Sequence, residues 1–222
     1  MTIAEMLLII KETFLPSLPE KAEAKLLNSI VKPNWIVIEV GARTGGTTRL
    51  ISSLVKRQGL VVSIEPNEFA TKRLSRLAKS LQNVLVVNVA ASDKNGISEL
   101  YMDSIAHVGA NLLSQKNSLH SKVTTLQIDE IVRRLHLSAI DLIVIDVEGA
   151  EAEVISGCSN VLKTAKFVMV EIHHYVNRNI EQRVVSQLLN ARFSGICREI
   201  DTEEPLITVD LFGKIDPDNF DA

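Results

Sequence analysis

Residues 36–48 read IVIEVGARTGGTT. A β-branched apolar run carries one carboxylate, Glu39, and empties into a loop holding Gly41, Gly45 and Gly46. β-Branched residues favour strands, and closely spaced glycines mark a tight turn. The next stretch, TTRLISSLVKRQ (47–58), has helical spacing. A strand that turns at once into a helix is the opening unit of an α/β domain.

The pattern repeats outward from there. LVVSIEP (60–66), NVLVVNVA (83–90), IDLIVIDV (140–147) and KFVMVEIH (166–173) read as further strands. NEFATKRLSRLAKSL (67–81), AEAEVISGCSNVLK (150–163) and a segment near 178–192 read as helices. SGICREI (194–200) and PLITVDLF (205–212) are separated by a few turn residues and predict an antiparallel hairpin. Near-continuous apolar strands imply a sheet covered on both faces, and strand–helix alternation implies parallel pairing. Residues 102–121, MDSIAHVGANLLSQKNSLHS, show no regular period, and a loop of that length is often functional.

Composition narrows the options. The 222 residues fit one domain, 1–222, with residues 1–34 as an N-terminal helical extension and 35–222 as the core. Hydrophobic residues make up 46%, enough for a sizeable core, and the formal net charge is −3. No basic field is available for a long phosphate backbone, so no nucleic-acid partner is expected. Met6–Ile10 is too short an apolar run to span a bilayer, and the N-terminus lacks a signal-peptide pattern, so no membrane partner is expected. Cys158 and Cys197 belong to no metal or redox motif, which points to a reducing cytoplasm.

In an open α/β sheet, ligands bind beyond the carboxyl ends of the strands. Acids collect there: Glu39, Glu65, Asp93, then Asp146, Glu148 and Glu151, then Glu171 followed by His173 and His174. Glu65 lies about 20 residues after Gly45, the spacing at which an acid reaches ribose hydroxyls. The loop reads Gly41-x-x-x-Gly45-Gly46, not G-x-G-x-x-G, so it lacks the spacing that presses backbone against a pyrophosphate. Acids suit a cationic, phosphate-free adenosyl ligand such as S-adenosylmethionine, with its ammonium, sulfonium and ribose diol. They repel a dinucleotide.

The same residues resemble the FkbM-type methyltransferases. The matching elements are Glu39-Val40-Gly41-Ala42-Arg43-Thr44-Gly45, Glu65-Pro66-Asn67, Ala90-Ala91-Ser92-Asp93, Ile145-Asp146-Val147-Glu148-Gly149-Ala150-Glu151 and Glu171-Ile172-His173. The resemblance implies an α/β, Rossmann-like class I methyltransferase. Its sheet is expected to be mostly parallel and seven-stranded, with an antiparallel C-terminal edge hairpin and helices on both faces. It further implies S-adenosyl-L-methionine as cofactor and methylation of a hydroxyl or carboxyl oxygen on a sugar or secondary metabolite. Three positions depart from the family pattern. Glu39 stands for a usual Asp, Arg43 for a usual Asn, and Val144 for a common Lys.

Roles follow by position. Glu39, Gly41, Ala42, Arg43 and Gly45 are expected at the methionine end of the cofactor. Glu65, Pro66 and Asn67 belong to the ribose, and Ser92 and Asp93 to the adenine. Asp146 is expected at both cofactor and acceptor, and His173 at the acceptor, as the catalytic pair. Glu148 and Glu151 read as helix caps. Asp146, Glu171 and His173 are compatible metal ligands, but their spacing is not diagnostic and no metal is assigned. A nucleic-acid methyltransferase and a non-catalytic cofactor-binding protein are the alternatives. Oligomeric state leaves no trace in the sequence.

Overall fold

A computed structural model of the chain describes residues 21–102, 110–111, 119–174, 179–200 and 207–215. The expected N-terminal helix before residue 21, most of the 102–121 segment with His107, and the turn at 201–204 lie outside the described residues.

The main sheet is built from β1 (Ile36–Val40), β2 (Leu60–Ile64), β3 (Val84–Val87), β8 (Leu142–Ile145), β9 (Phe167–His173), β10 (Phe193–Ile200) and β11 (Ile207–Lys214). Their order is β10-β11-β9-β8-β1-β2-β3. β3, β2, β1, β8 and β9 run parallel, whereas β11 is antiparallel to β9 and β10 is antiparallel to β11. The strand order therefore reverses between β1 and β8, which is where a ligand crevice is expected. The seven-stranded, mostly parallel sheet with its antiparallel C-terminal pair matches the sequence expectation.

Alternation along each strand splits the core into two layers. Ile38, Val40, Ile143 and Ile145 face one layer, which includes Val154 of α5 (Glu151–Ser156) and Val184 of α7 (Ile180–Asn190). Val37, Leu142 and Val144 face the other, which includes Leu27 of α1 (Lys21–Ile30) and Ile51 of α2 (Gly46–Val55). Each fully buried aliphatic side chain contributes roughly 1.5–3 kcal/mol. α3 (Glu68–Leu81) covers β3, and its first turn is capped by Asn67, whose Oδ1 accepts from the Phe69 and Ala70 N–H groups.

Two features differ from the sequence reading. A second, four-stranded sheet of order β4-β7-β5-β6 forms from Ala90–Ala91, Leu119–Leu126, Gly96–Met102 and Ala110–Asn111. β5 and β7 pair antiparallel from Gly96↔Thr125 to Met102↔Leu119, so both ends of the irregular segment are strand. Alternation fails to announce β5 because Ile97 is 76% exposed while Leu100 is buried. The helix expected over 150–163 is also broken, into α5 and α6 (Val161–Thr164), with α4 (Ile128–Arg134) packed beside α6. The break falls at Gly157, where a Cβ would overlap the Ser92 carbonyl and come within 3.3 Å of the Gln127 backbone.

Gly157→Ala should therefore force α5 away from the segment that follows β4. A loss of about 1–3 kcal/mol in urea unfolding is expected. An unchanged midpoint and slope would mean that the segment yields freely.

Candidate active site

Glu39 is the penultimate residue of β1, on the α1/α2 side, with 2% of its surface exposed. Strand register places Ser63 of β2 beside it, and α2 delivers Thr48 from above. Thr48 Oγ1 and Ser63 Oγ both donate to Glu39 Oε2, at 2.6 and 2.7 Å. Glu39 Oε1 is buried and has no hydrogen-bond partner. Burial pushes the carboxyl up to about 7, against the opposing pull of the two hydroxyls.

Glu65 follows β2 and is also buried. Its Oε1 accepts the Asn67 N–H at 2.7 Å and its Oε2 the Arg43 N–H at 2.9 Å. Burial again raises it to about 7, with those N–H groups and the Arg43 charge opposing. The glycine loop is thus tied to the end of β2. Gly41 and Ala42 donate their N–H groups to the Ile64 carbonyl at 3.0 and 3.1 Å. Gly41 has φ +87 and Gly45 has φ +95. A Cβ on Gly41 would overlap the Asp146 carbonyl, and one on Gly45 would press into Leu74 and Leu77. Arg43 itself has φ +48, a left-handed conformation that Asn adopts more readily than Arg.

The remaining residues expected at the cofactor divide. Pro66 is half-buried, and the Asn67 side chain is committed to capping α3. Ser92 is buried, with its N–H on the Leu126 carbonyl and its Oγ on Asp93 Oδ1 at 3.1 Å, while Asp93 is exposed.

The second half of the site lies across β8 and β9. The Asp146 N–H bonds the Val40 carbonyl at 3.0 Å, extending the β1–β8 ladder one residue past the strand. Glu148 at φ +53 and Gly149 at φ +105 then turn the chain sharply into α5. His173, buried at the end of β9, stands among four carboxylates. Its Nδ1 is 2.6 Å from Glu151 Oε1. Its Nε2 is 3.3 Å from Glu171 Oε1, 3.7 Å from Asp146 Oδ1 and 3.8 Å from Glu148 Oε2. Glu151 is fully buried, and its Oε1 also accepts the Gly149 N–H at 2.9 Å, while its Oε2 has no partner. Burial works against a charged imidazole, but the hydrogen-bonded Glu151 and Glu171, with Asp146 nearby, hold His173 up at about 11. Asp146 is raised well above the usual carboxylate range, by burial first and by the charge of Glu171 next. It still keeps 24% of its side-chain surface exposed, so it remains reachable from outside.

Asp146 and His173 are thus brought together as expected. His174 points away, with Nε2 3.0 Å from Thr208 Oγ1, as alternation along the strand requires. Glu151 is the residue whose role is larger than a cap. It fixes the His173 ring, and its position inside the Asp146–Glu151 motif was the available signal.

Strand order, the reversal between β1 and β8, and acids along the carboxyl edge define a Rossmann-like methyltransferase architecture. Fibrillarin from Aeropyrum pernix, solved with natively bound S-adenosyl-L-methionine, shares the fold at a TM-score of 0.58 and 13% identity. The match covers 87% of this chain and 74% of that one. Residues 39–194 match the methyltransferase FkbM domain, and the chain belongs to that family of methyltransferases. Two relatives are each 25% identical. The 2-O-methyltransferase NoeI of Sinorhizobium fredii aligns over 172 residues, 70% of either chain. The hexuronic acid methyltransferase AglP of Haloferax volcanii aligns over 190 residues, 85% of this chain and 75% of its own.

The raised Glu39 carboxyl has a measurable consequence. Its folded value of about 7 exceeds the unfolded value of 4.5, so the folded chain holds the proton more tightly. That contribution to stability is complete below pH 4.5 and is lost as pH rises through 7. Glu39→Gln lacks it. The stability of the variant relative to the parent should grow by about 2–3 kcal/mol between pH 5 and pH 8. Urea unfolding of both proteins at the two pH values measures this, and a pH-independent difference would contradict it.

Proposed function

We propose that the protein transfers a methyl group from S-adenosylmethionine to a hydroxyl or carboxyl oxygen of a small sugar-like acceptor. The observation that carries this is the unpartnered, buried Glu39 Oε1. A carboxylate left without a partner in a strand interior costs free energy unless a ligand cation or donor meets it. Gln or Met there would be cheaper for folding alone.

The residues fit the cofactor in chemistry as well as place. Glu39 would take the ammonium group. Glu65 would take the ribose diol. Its two oxygens each hold one backbone N–H, and each has a second lone pair to offer. Pro66, Asn67, Ser92 and Asp93 would line the adenosine, with Gly41, Ala42, Arg43 and Gly45 forming the loop over the methionine end. When bound, the cofactor supplies an electrophilic methyl group on a sulfonium, and transfer is an in-line displacement. Much of the protein's contribution to such a reaction is positioning. Asp146 and His173 would meet the acceptor hydroxyl, a reading supported by Asp146 being partly open to solvent and His173 being held by Glu151.

The acceptor class is supported by the family and by relatives named for a sugar-acid and a 2-O position. A net charge of −3 gives no support to a nucleic-acid substrate. Among the described residues no helix is long and apolar enough to cross a membrane, and both cysteines are free thiols, which fits a cytoplasmic location.

Titration calorimetry with S-adenosylhomocysteine is the direct test. The parent protein should bind it, and Glu65→Ala should bind at least tenfold more weakly while melting cooperatively. Incubation with S-adenosylmethionine and a panel of hexoses and hexuronic acids should yield a methylated product by mass spectrometry. A parent protein that binds neither cofactor form would sink the proposal.

A further inference from the structure

We infer that Asp146, Glu171 and His173 form a binding site for a divalent cation at the carboxyl ends of β8 and β9. One atom from each lies within 4.8 Å of the others. His173 Nε2 is 3.3 Å from Glu171 Oε1 and 3.7 Å from Asp146 Oδ1. Ligands bound at about 2.1 Å from one ion stand roughly 3.0–3.5 Å apart in octahedral or tetrahedral arrangements, so small side-chain shifts suffice.

Two observations separate this set from an ordinary buried ion pair. The first is the orientation of the ring. Glu151 Oε1 accepts the Gly149 N–H and stands 2.6 Å from His173 Nδ1, so the imidazole donates from Nδ1. Nε2 is turned toward Glu171 and Asp146, and an ion bound there would take the place of its proton, which leaves to solvent. A carboxylate fixing the far nitrogen of an imidazole is the usual support for a metal-bound histidine. The second is the surplus of buried acid. Glu151 is fully buried, yet its Oε2 has no partner. One imidazole needs one carboxylate; here Asp146, Glu148, Glu151 and Glu171 all converge on it.

Mixed carboxylate and imidazole ligands suit ions of the Mn2+ and Mg2+ kind better than thiophilic ones. Three protein ligands leave coordination positions open, and Asp146 is reachable from solvent. Acceptor oxygens can occupy those positions, where the ion would orient them and lower a hydroxyl pKa. This use of the ion rests on the proposed methyl transfer; the ion binding does not.

The test is titration of the chelator-stripped full chain with MnCl2, following free Mn2+ by electron paramagnetic resonance. One saturable site per chain is expected. Asp146→Asn, Glu171→Gln and His173→Gln should each weaken it at least tenfold, while Glu130→Gln on the surface leaves it unchanged. Glu151→Gln, a positioning change, should weaken it less and alter the imidazole 14N coupling. Should a ligand variant fail to fold, that coupling in the Mn2+-loaded parent decides alone, and its absence overturns the inference. No saturable Mn2+ binding, or equal binding in folded Glu171→Gln and His173→Gln, also overturns it. A separate titration with S-adenosylhomocysteine keeps the two proposals apart. Cofactor binding without Mn2+ binding defeats only the cation site, and Mn2+ binding without cofactor binding supports it while defeating the methyl-transfer reading.

Discussion

Gly41 has no side chain because the backbone of Asp146 stands where one would be. That contact sets how closely β1 and β8 run as they leave the sheet, and the site depends on it. The Asp146 N–H can reach the Val40 carbonyl only at this separation. With Asp146 held there, the turn through Glu148 and Gly149 must be sharp, and it takes left-handed backbone at both residues. That turn starts α5 with Glu151 directed back at His173. One glycine thereby connects the glycine loop, the end of β8 and the support of the imidazole on β9.

The site carries a folding cost that the two hydrophobic layers must offset. Glu39, Glu65, Glu151 and Glu171 are all buried. Half of their oxygens have donors supplied by backbone or hydroxyl groups, which reduces the penalty without removing it. The oxygens left over, Glu39 Oε1 and Glu151 Oε2, mark where the protein is incomplete by itself. They fall in different halves of the site, one beside the glycine loop and one behind His173. A cationic cofactor would complete the first; the second belongs to the carboxylate that holds the imidazole. Ligand binding and stability are coupled in such an arrangement, because whatever binds only the folded chain stabilises it.

The main sheet was legible because its strands are buried on both faces and read as unbroken apolar runs. Glu39, Glu65, Asp146 and His173 stood out as candidates for the same reason: each is a polar group at the end, or within, a run that should hold none. The second sheet was not legible. Its strands lie at the surface, Ile97 faces solvent, and backbone pairing rather than side-chain pattern defines them. Glu151 reads as a cap from sequence because acids are common in a first helical turn. Only the fold shows that β9 brings His173 against it. Asp146, Glu171 and His173 can be named together from the sequence, but their spacing is irregular, and only the fold shows one atom of each within 4.8 Å of the others.

Two departures from the family pattern, Glu39 and Val144, meet in the strand register. Val144 stands directly beside Glu39 across β1 and β8 and faces the same layer. A lysine at that position would place its stem along the acid, and its ammonium would be a resident counter-ion. Val144 instead is buried among Leu142, Met169 and Val37 and offers Glu39 nothing. Glu39 is one methylene longer than aspartate, and its Oε2 spends that reach on Thr48 and Ser63. Its Oε1 is thereby left for a ligand. Arg43 brings its positive charge to Glu65 and Asp146 from the loop, on left-handed backbone that suits asparagine better. Such a site trades some stability of the empty protein for a carboxylate that a ligand can neutralise.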